Sequence, residues 1–165
     1  MVISKTDYLL YRDCKKNAWL KLHRKDLYYQ FELSPFDRMI IQTGNDVELI
    51  ARKLFPTGIL IEGRDKEAQN LTLEYIKRKE PVLFQAAFEK DGFFAAIDIL
   101  EHIPETNSYS IYEVKANNEI DEKIHYYDLA FQVNLLRKCG LNVGKINLIH
   151  LNKEYIRQGD LNIIA

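Results

Sequence analysis

Asp98 stands in the apolar run Phe93-Phe94-Ala95-Ala96-Ile97-Asp98-Ile99-Leu100, where the two-residue period of a strand sets it on one face with Phe94, Ala96 and Leu100. A carboxylate in that setting is expensive to bury and needs a partner. Further along, Ile111-Tyr112-Glu113-Val114-Lys115 places Glu113 and Lys115 on one face of a second strand. Pairing of the two strands brings Asp98 alongside Glu113. Two converging carboxylates repel unless one takes up a proton or a cation compensates. A hard divalent ion with oxygen ligands answers that need: magnesium keeps several waters, acidifies a bound water and clamps a phosphate oxygen. Lys115 is then placed to orient the water and offset charge gathering on phosphorus.

Elements must position these groups. Residues 4–25 carry Leu9, Leu10, Cys14, Ala18, Trp19 and Leu22 at mostly three- and four-residue spacing, which predicts one or two amphipathic helices. Their outer face is basic, with Lys5, Arg12, Lys15, Lys16, Lys21, Arg24 and Lys25 against Asp7, Asp13 and Asp26. Residues 28–38 read as a loop broken at Ser34-Pro35, and Thr43 or Asn45 as the cap of a helix running to Leu54. Glu48 falls at the edge of that helix's apolar arc. Residues 59–61 form a short strand candidate, and 66–79 another amphipathic helix.

From residue 82 the pattern changes to strands. Residues 82–89 and 93–100 flank Lys90-Asp91-Gly92, a hairpin signal, and 109–115 supply a third strand. Residues 121–139 read as a long helix stopped by Gly140, and 145–151 as a last strand able to pair in parallel. The expected fold is therefore α/β, helices layered on a mixed sheet. On the long helix, His125, Asp128 and Gln132 lie within about 60° of one another and form a polar rim.

Ile97-Asp98-Ile99-Leu100, then Tyr112-Glu113-Val114-Lys115-Ala116, then a helix with Phe131-Gln132, preceded by a helical acidic residue, resembles the PD-(D/E)XK nuclease superfamily. The RecB-like branch is the nearest match. The opening Ser4-Lys5-Thr6 and Cys14-Lys15-Lys16, residues 47–58, and residues 151–159 are also similar to an uncharacterised bacterial family of such domains, in which further sequence follows. The resemblance implies a single domain over 1–165 with a restriction-endonuclease-like mixed sheet flanked by helices. It implies a magnesium- or manganese-dependent hydrolase that cleaves DNA phosphodiester bonds with a metal-activated water. Asp98, Glu113 and Lys115 are then catalytic. Glu48, Asp98, Glu113 and the Val114 carbonyl are the metal ligands, and Gln132 and His125 contact substrate. The branch's helix motif has a tyrosine four residues after the glutamine, where this chain has Leu136.

Composition sets the frame around these expectations. The chain has 165 residues, 47% of them hydrophobic and 28% charged, enough for one core that buries roughly 68–70% of the unfolded surface. Lys and Arg number 23 and Asp and Glu 24, a net charge of −1, so any nucleic-acid footprint is local rather than global. Cys14 and Cys139 are the only cysteines. They are too few for a four-cysteine iron–sulfur cluster, lack zinc spacing with His23, His102, His125 and His150, and fit a reducing, cytoplasmic setting. No apolar run approaches the roughly 20 residues that span a bilayer. The apolar end at residues 159–165 reads as a domain cut from a longer protein with a C-terminal region missing. Two rival functions stay open at this point. One is a nuclease-fold module with a dormant site that binds nucleic acid or protein, and the other an interaction domain whose activity lies in that missing region.

Overall fold

The run Val82–Lys90 alternates across a sheet whose two sides are both covered, and it folds into the central hairpin of the protein with Phe93–Ile103. Between them Asp91 and Gly92 both take positive φ (53° and 76°), the backbone that a two-residue turn matched to strand twist requires. A computed structural model describes residues 1–28 and 32–163. In chain order its elements are β1 (Ile3–Ser4), α1 (Lys5–Asp13), α2 (Lys15–His23), α3 (Pro35–Arg52), β2 (Ile59–Leu60), α4 (Lys66–Arg78), β3 (Val82–Lys90), β4 (Phe93–Ile103), a 3-10 turn, β5 (Ser108–Lys115), α5 (Glu122–Lys138) and β6 (Val143–His150).

The strands form one mixed sheet in the order β2-β3-β4-β5-β6. β3, β4 and β5 make an antiparallel meander, and β6 returns through α5 to lie parallel to β5. The α/β class and the helices flanking a mixed sheet are as the sequence pattern implies. One strand escaped it: β1, only two residues long, pairs in parallel with the start of β4 (Ile3 with Phe93, Ser4 with Phe94). The pairing of β4 with β5 runs from Ile103–Ser108 only as far as Ile99–Tyr112. Beyond that rung the strands part, and β1 takes the edge of β4 that β5 has left.

Two apolar layers hold the sheet. One side packs Leu83, Ala87, Leu100 and Ile111 against Leu129, Val133 and Leu136 of α5 and Ala68 of α4. Each fully buried Leu or Ile there contributes about 1.5–3 kcal/mol relative to exposure. On the other side Ala51 of α3 meets Val82, Phe84 and Ile99, with Phe55, Tyr112 and Val114 around them. Among the described residues no helix is long and apolar enough to cross a membrane.

The opening segment is two helices, as its spacing allows, broken at Cys14, whose φ of −144° is extended backbone. One expectation needs correction: α3 begins at Pro35, well before Thr43 or Asn45. Ser34 Oγ accepts the Asp37 N–H at 3.1 Å and Asp37 Oδ2 accepts the Ser34 N–H at 2.9 Å, while Pro35 occupies the first helical position, where no N–H is needed. The proline starts this helix instead of breaking the chain. Residues 29–31 of the expected loop lie outside the described residues.

Candidate functional site

The register that ends at Ile99–Tyr112, carried one step further, sets Asp98 opposite Glu113 at the point where β4 and β5 separate. The separation gives Asp98 a different task from a ladder residue. Its Oδ2 accepts the backbone N–H of Val114 at 2.9 Å, standing where a strand carbonyl would otherwise stand. Its Oδ1 accepts from Gln85 Nε2 at 3.1 Å. Gln85, across from Asp98 on β3, has φ of 54°, a left-handed conformation that costs a non-glycine residue roughly 1–2 kcal/mol. The β3–β4 pairing skips this position, running from Phe84–Ile99 to Ala86–Ile97. Strain of this kind persists where surrounding structure enforces it, and here it turns the amide toward two carboxylates.

Glu48, on the inner edge of α3, is the second of them. Its Oε1 accepts from Gln85 Nε2 at 2.6 Å and from the Arg52 guanidinium at 2.5 Å, one helical turn on. One amide nitrogen thus bridges Glu48 and Asp98. Ser4, Lys5, Thr6, Arg64 and Phe94 line, together with Glu48, Gln85 and Asp98, a cavity of about 160 Å³.

Glu113 is only 2% exposed, and its oxygens are met from three elements. Oε1 pairs with Lys5 Nζ at 2.8 Å and Lys115 Nζ at 2.5 Å, and Oε2 accepts from Gln132 Nε2 at 2.6 Å. Asp128 of α5, buried to 1% exposure, completes the group: Lys5 reaches its Oδ1 at 3.1 Å and Lys115 its Oδ2 at 2.7 Å. Gln132 donates to it as well, at 2.8 Å. Two ammonium groups therefore face two carboxylates in a closed quartet, fixed from β1–α1, β5 and α5.

The charges explain the titration of each member. Burial works against the Lys5 ammonium, yet Glu113, Asp128 and Asp98 outweigh it and hold Lys5 well above the ordinary lysine value. Lys115 is raised for the same reason, burial being overcome by Glu113 and Asp128. For Asp128, burial is overcome by Lys5 and Lys115, so its carboxyl stays below the usual range. Asp98 is the exception. Burial first, then the charges of Glu113 and Glu48, push it up to about 7 against the pull of Lys5 and the Val114 N–H. With the quartet neutral within itself and Glu48 paired to Arg52, Asp98 is the carboxylate of the site that no cation pairs with among the described residues.

The expected site residues fall in two contact groups: Glu48 and Asp98 share the Gln85 amide, and Glu113 contacts Lys115 and Gln132. Val114 contributes its N–H to Asp98, while its side chain lies under α3. His125 is spent elsewhere. Its buried ring accepts the Asp121 N–H at 3.1 Å through Nδ1, securing the first turn of α5. No sequence pattern marks Lys5, Gln85 or Arg64 as site residues, and the helix periodicity places Asp128 only in a polar rim. The i to i+4 spacing of Asp128 and Gln132 was the available signal for Asp128. The basic face of the opening helices is also less solvated than its charge pattern implies: Lys21 pairs with Asp7 at 2.7 Å, and the Arg12 guanidinium lies 3.5 Å over the Tyr127 ring.

Among the described residues no three His, Cys, Asp or Glu side chains are arranged as a ready-made metal cage. The donor chemistry nevertheless fits a hard cation at one place. Glu48 and Asp98 both present an oxygen to the Gln85 amide, and Asp98 has no ion pair among the described residues; Glu113 joins only by releasing a lysine or Gln132. Comparison of the chain with family models, with curated proteins and with solved structures gives no match.

Proposed function

We propose that the protein is a metal-dependent nuclease of the PD-(D/E)XK type, RecB-like branch, hydrolysing DNA phosphodiester bonds. The observation that carries this reading is the placement of Asp98 opposite Glu113 by strand register where β4 and β5 part, with Lys115 bound to Glu113 and Glu48 joined to Asp98 through Gln85. In this reading Glu48 and Asp98 hold magnesium or manganese, with the Val114 carbonyl and Glu113 as further ligands. The ion supplies an acidified water and charge neutralisation at the phosphate. Asp98 must be ionised to do its part, which sets its working range above about pH 7 without metal. Lys115 presents an ammonium group, held charged by Glu113 and Asp128, to negative charge developing on the phosphate. Gln132 keeps Glu113 and Asp128 fixed.

The test is incubation of the purified chain with end-labelled single- and double-stranded DNA and manganese or magnesium. Wild type is expected to cleave, chelation to abolish cleavage, and Asp98→Asn, Glu113→Gln and Lys115→Ala each to slow it about 100-fold or more while melting cooperatively. No cleavage by wild type, or equal cleavage by Asp98→Asn, overturns the proposal. One observation favours a second reading, a dormant nuclease-fold module that binds nucleic acid or protein. Both Glu113 oxygens are already occupied, by Lys5, Lys115 and Gln132. DNA binding without cleavage would select it.

A further inference from the structure

Arg64 lines the same cavity as Glu48, Gln85, Asp98, Lys5 and Thr6. The other cations around the site are engaged: Lys5 and Lys115 with Glu113 and Asp128, Arg52 with Glu48. Arg64 has no hydrogen bond, ion pair or ring contact among the described residues. An arginine beside two carboxylates that pairs with neither has its fork of donors available to something else.

Its backbone is nevertheless fixed. On one side β2 is tied to β3 by the Ile61 N–H, which donates to the Phe84 carbonyl at 3.0 Å, and Gly63 turns the chain with φ of 87°. A side chain at Gly63 would be strained by that conformation. On the other side Asp65 caps α4, its Oδ1 accepting the Ala68 N–H at 2.9 Å. Arg64 is therefore presented from a short, anchored turn between a strand end and a helix start. Such a guanidinium matches the paired oxygens of a phosphodiester, and contact there sets a strand in register without reading its sequence.

We infer that Arg64 seats a backbone phosphate of the nucleic-acid strand entering the Asp98 cavity. The inference rests on the proposed nuclease reading and adds the contact by which the substrate is held. Arg64 acts as a binding residue, so its loss falls on KM and on affinity rather than on kcat.

The experiment measures binding of a short fluorescein-labelled single-stranded oligonucleotide by polarisation, in chelator and across a salt series, and cleavage in manganese. Arg78→Ala is the charge-matched control, since Arg78 is exposed on α4 and paired with Glu74. Arg64→Ala is expected to weaken binding roughly fivefold or more and to lower the salt slope by about 0.7, one phosphate contact on a single strand. Arg64→Lys should restore part of the affinity, as a point charge without the fork, Arg78→Ala should match wild type, and the KM of Arg64→Ala should rise at nearly constant kcat. Equal affinity of wild type and Arg64→Ala, or equal losses in Arg64→Ala and Arg78→Ala, overturns the assignment of Arg64 even where wild type cleaves. Weakened binding by Arg64→Ala in a wild type that does not cleave upholds Arg64 and overturns the nuclease reading. Absence of both binding and cleavage overturns both.

Discussion

Lys5 and Glu113, 108 residues apart in the chain, are joined by an ion pair of 2.8 Å, and the same ammonium reaches Asp128 at 3.1 Å. The β1–α1 junction thereby enters the site from the far end of the sequence. Lys5→Met should leave Glu113 and Asp128 with one cation between them and cost roughly 2–4 kcal/mol in urea denaturation. Because the folded protein holds Lys5 above its unfolded value, the stabilisation is complete below about pH 10 and is lost as pH rises through the folded value. The gap between variant and wild type should thus persist at about pH 9 and narrow as pH rises beyond about 10. Equal stability of the two at neutral pH would contradict the ion pair.

Asp98 titrates in the opposite sense to most stabilising carboxylates. Its folded pKa of about 7 lies above the unfolded value, so the native state binds the extra proton and stability falls as pH rises from about 4 to 7. Asp98→Asn keeps an acceptor for the Val114 N–H but removes the penalty. It should melt higher than wild type at about pH 8, by the equivalent of roughly 1–3 kcal/mol, and lose that advantage near pH 5. Manganese should stabilise wild type at about pH 8 and leave Asp98→Asn unmoved. A wild type whose stability rises between pH 4 and 7 at the same rate as the variant's would rule out the shift.

Gln85 separates backbone strain from side-chain bridging. Gln85→Ala loses the amide between Glu48 and Asp98 and keeps the left-handed backbone; Gln85→Gly loses the amide and relieves it. The glycine variant should be the more stable of the two by about 1 kcal/mol, although glycine in a strand is ordinarily the weaker choice. Thermal or urea melts of the pair decide it, and the reverse order would deny the strain.

Gln132 can present only N–H groups to Glu113 and Asp128, and its own Oε1 is buried without a partner among the described residues. Gln132→Glu places a third carboxylate there. It should be destabilised by several kcal/mol at about pH 8 and partly recover near pH 5, as the group takes up a proton. Gln132→Leu should cost less, about 1–3 kcal/mol, with little dependence on pH over that range. Urea midpoints at the two pH values check both, and a pH-independent Gln132→Glu would place the amide outside the charge cluster.

What could be read in the sequence follows from periodicity. Asp98 and Glu113 were legible because a two-residue period and an antiparallel meander determine which residues face each other. Glu48 showed at the edge of an apolar arc, and Asp91-Gly92 gave the hairpin its register. Lys5 was hidden because two residues of parallel pairing, Ile3 and Ser4 on β4, leave no local pattern. Gln85 was hidden because a left-handed residue inside a strand redirects its side chain against the expected alternation. The start of α3 departs from the expected one for a chemical reason. Ser34-Pro35-Phe36-Asp37 holds both a breaker and a capping box, and the box prevailed because proline at the first helical position forfeits no hydrogen bond.

The bond from the Val114 N–H to Asp98 makes an ionisable side chain serve as one rung between two strands. Whatever alters that carboxylate, a proton or an incoming ion, therefore alters how firmly the end of β5 is fastened. The amide signal of Val114 becomes a built-in gauge: its chemical shift and its exchange with solvent should follow the charge of Asp98 residue by residue, in a protein that has been given no substrate at all.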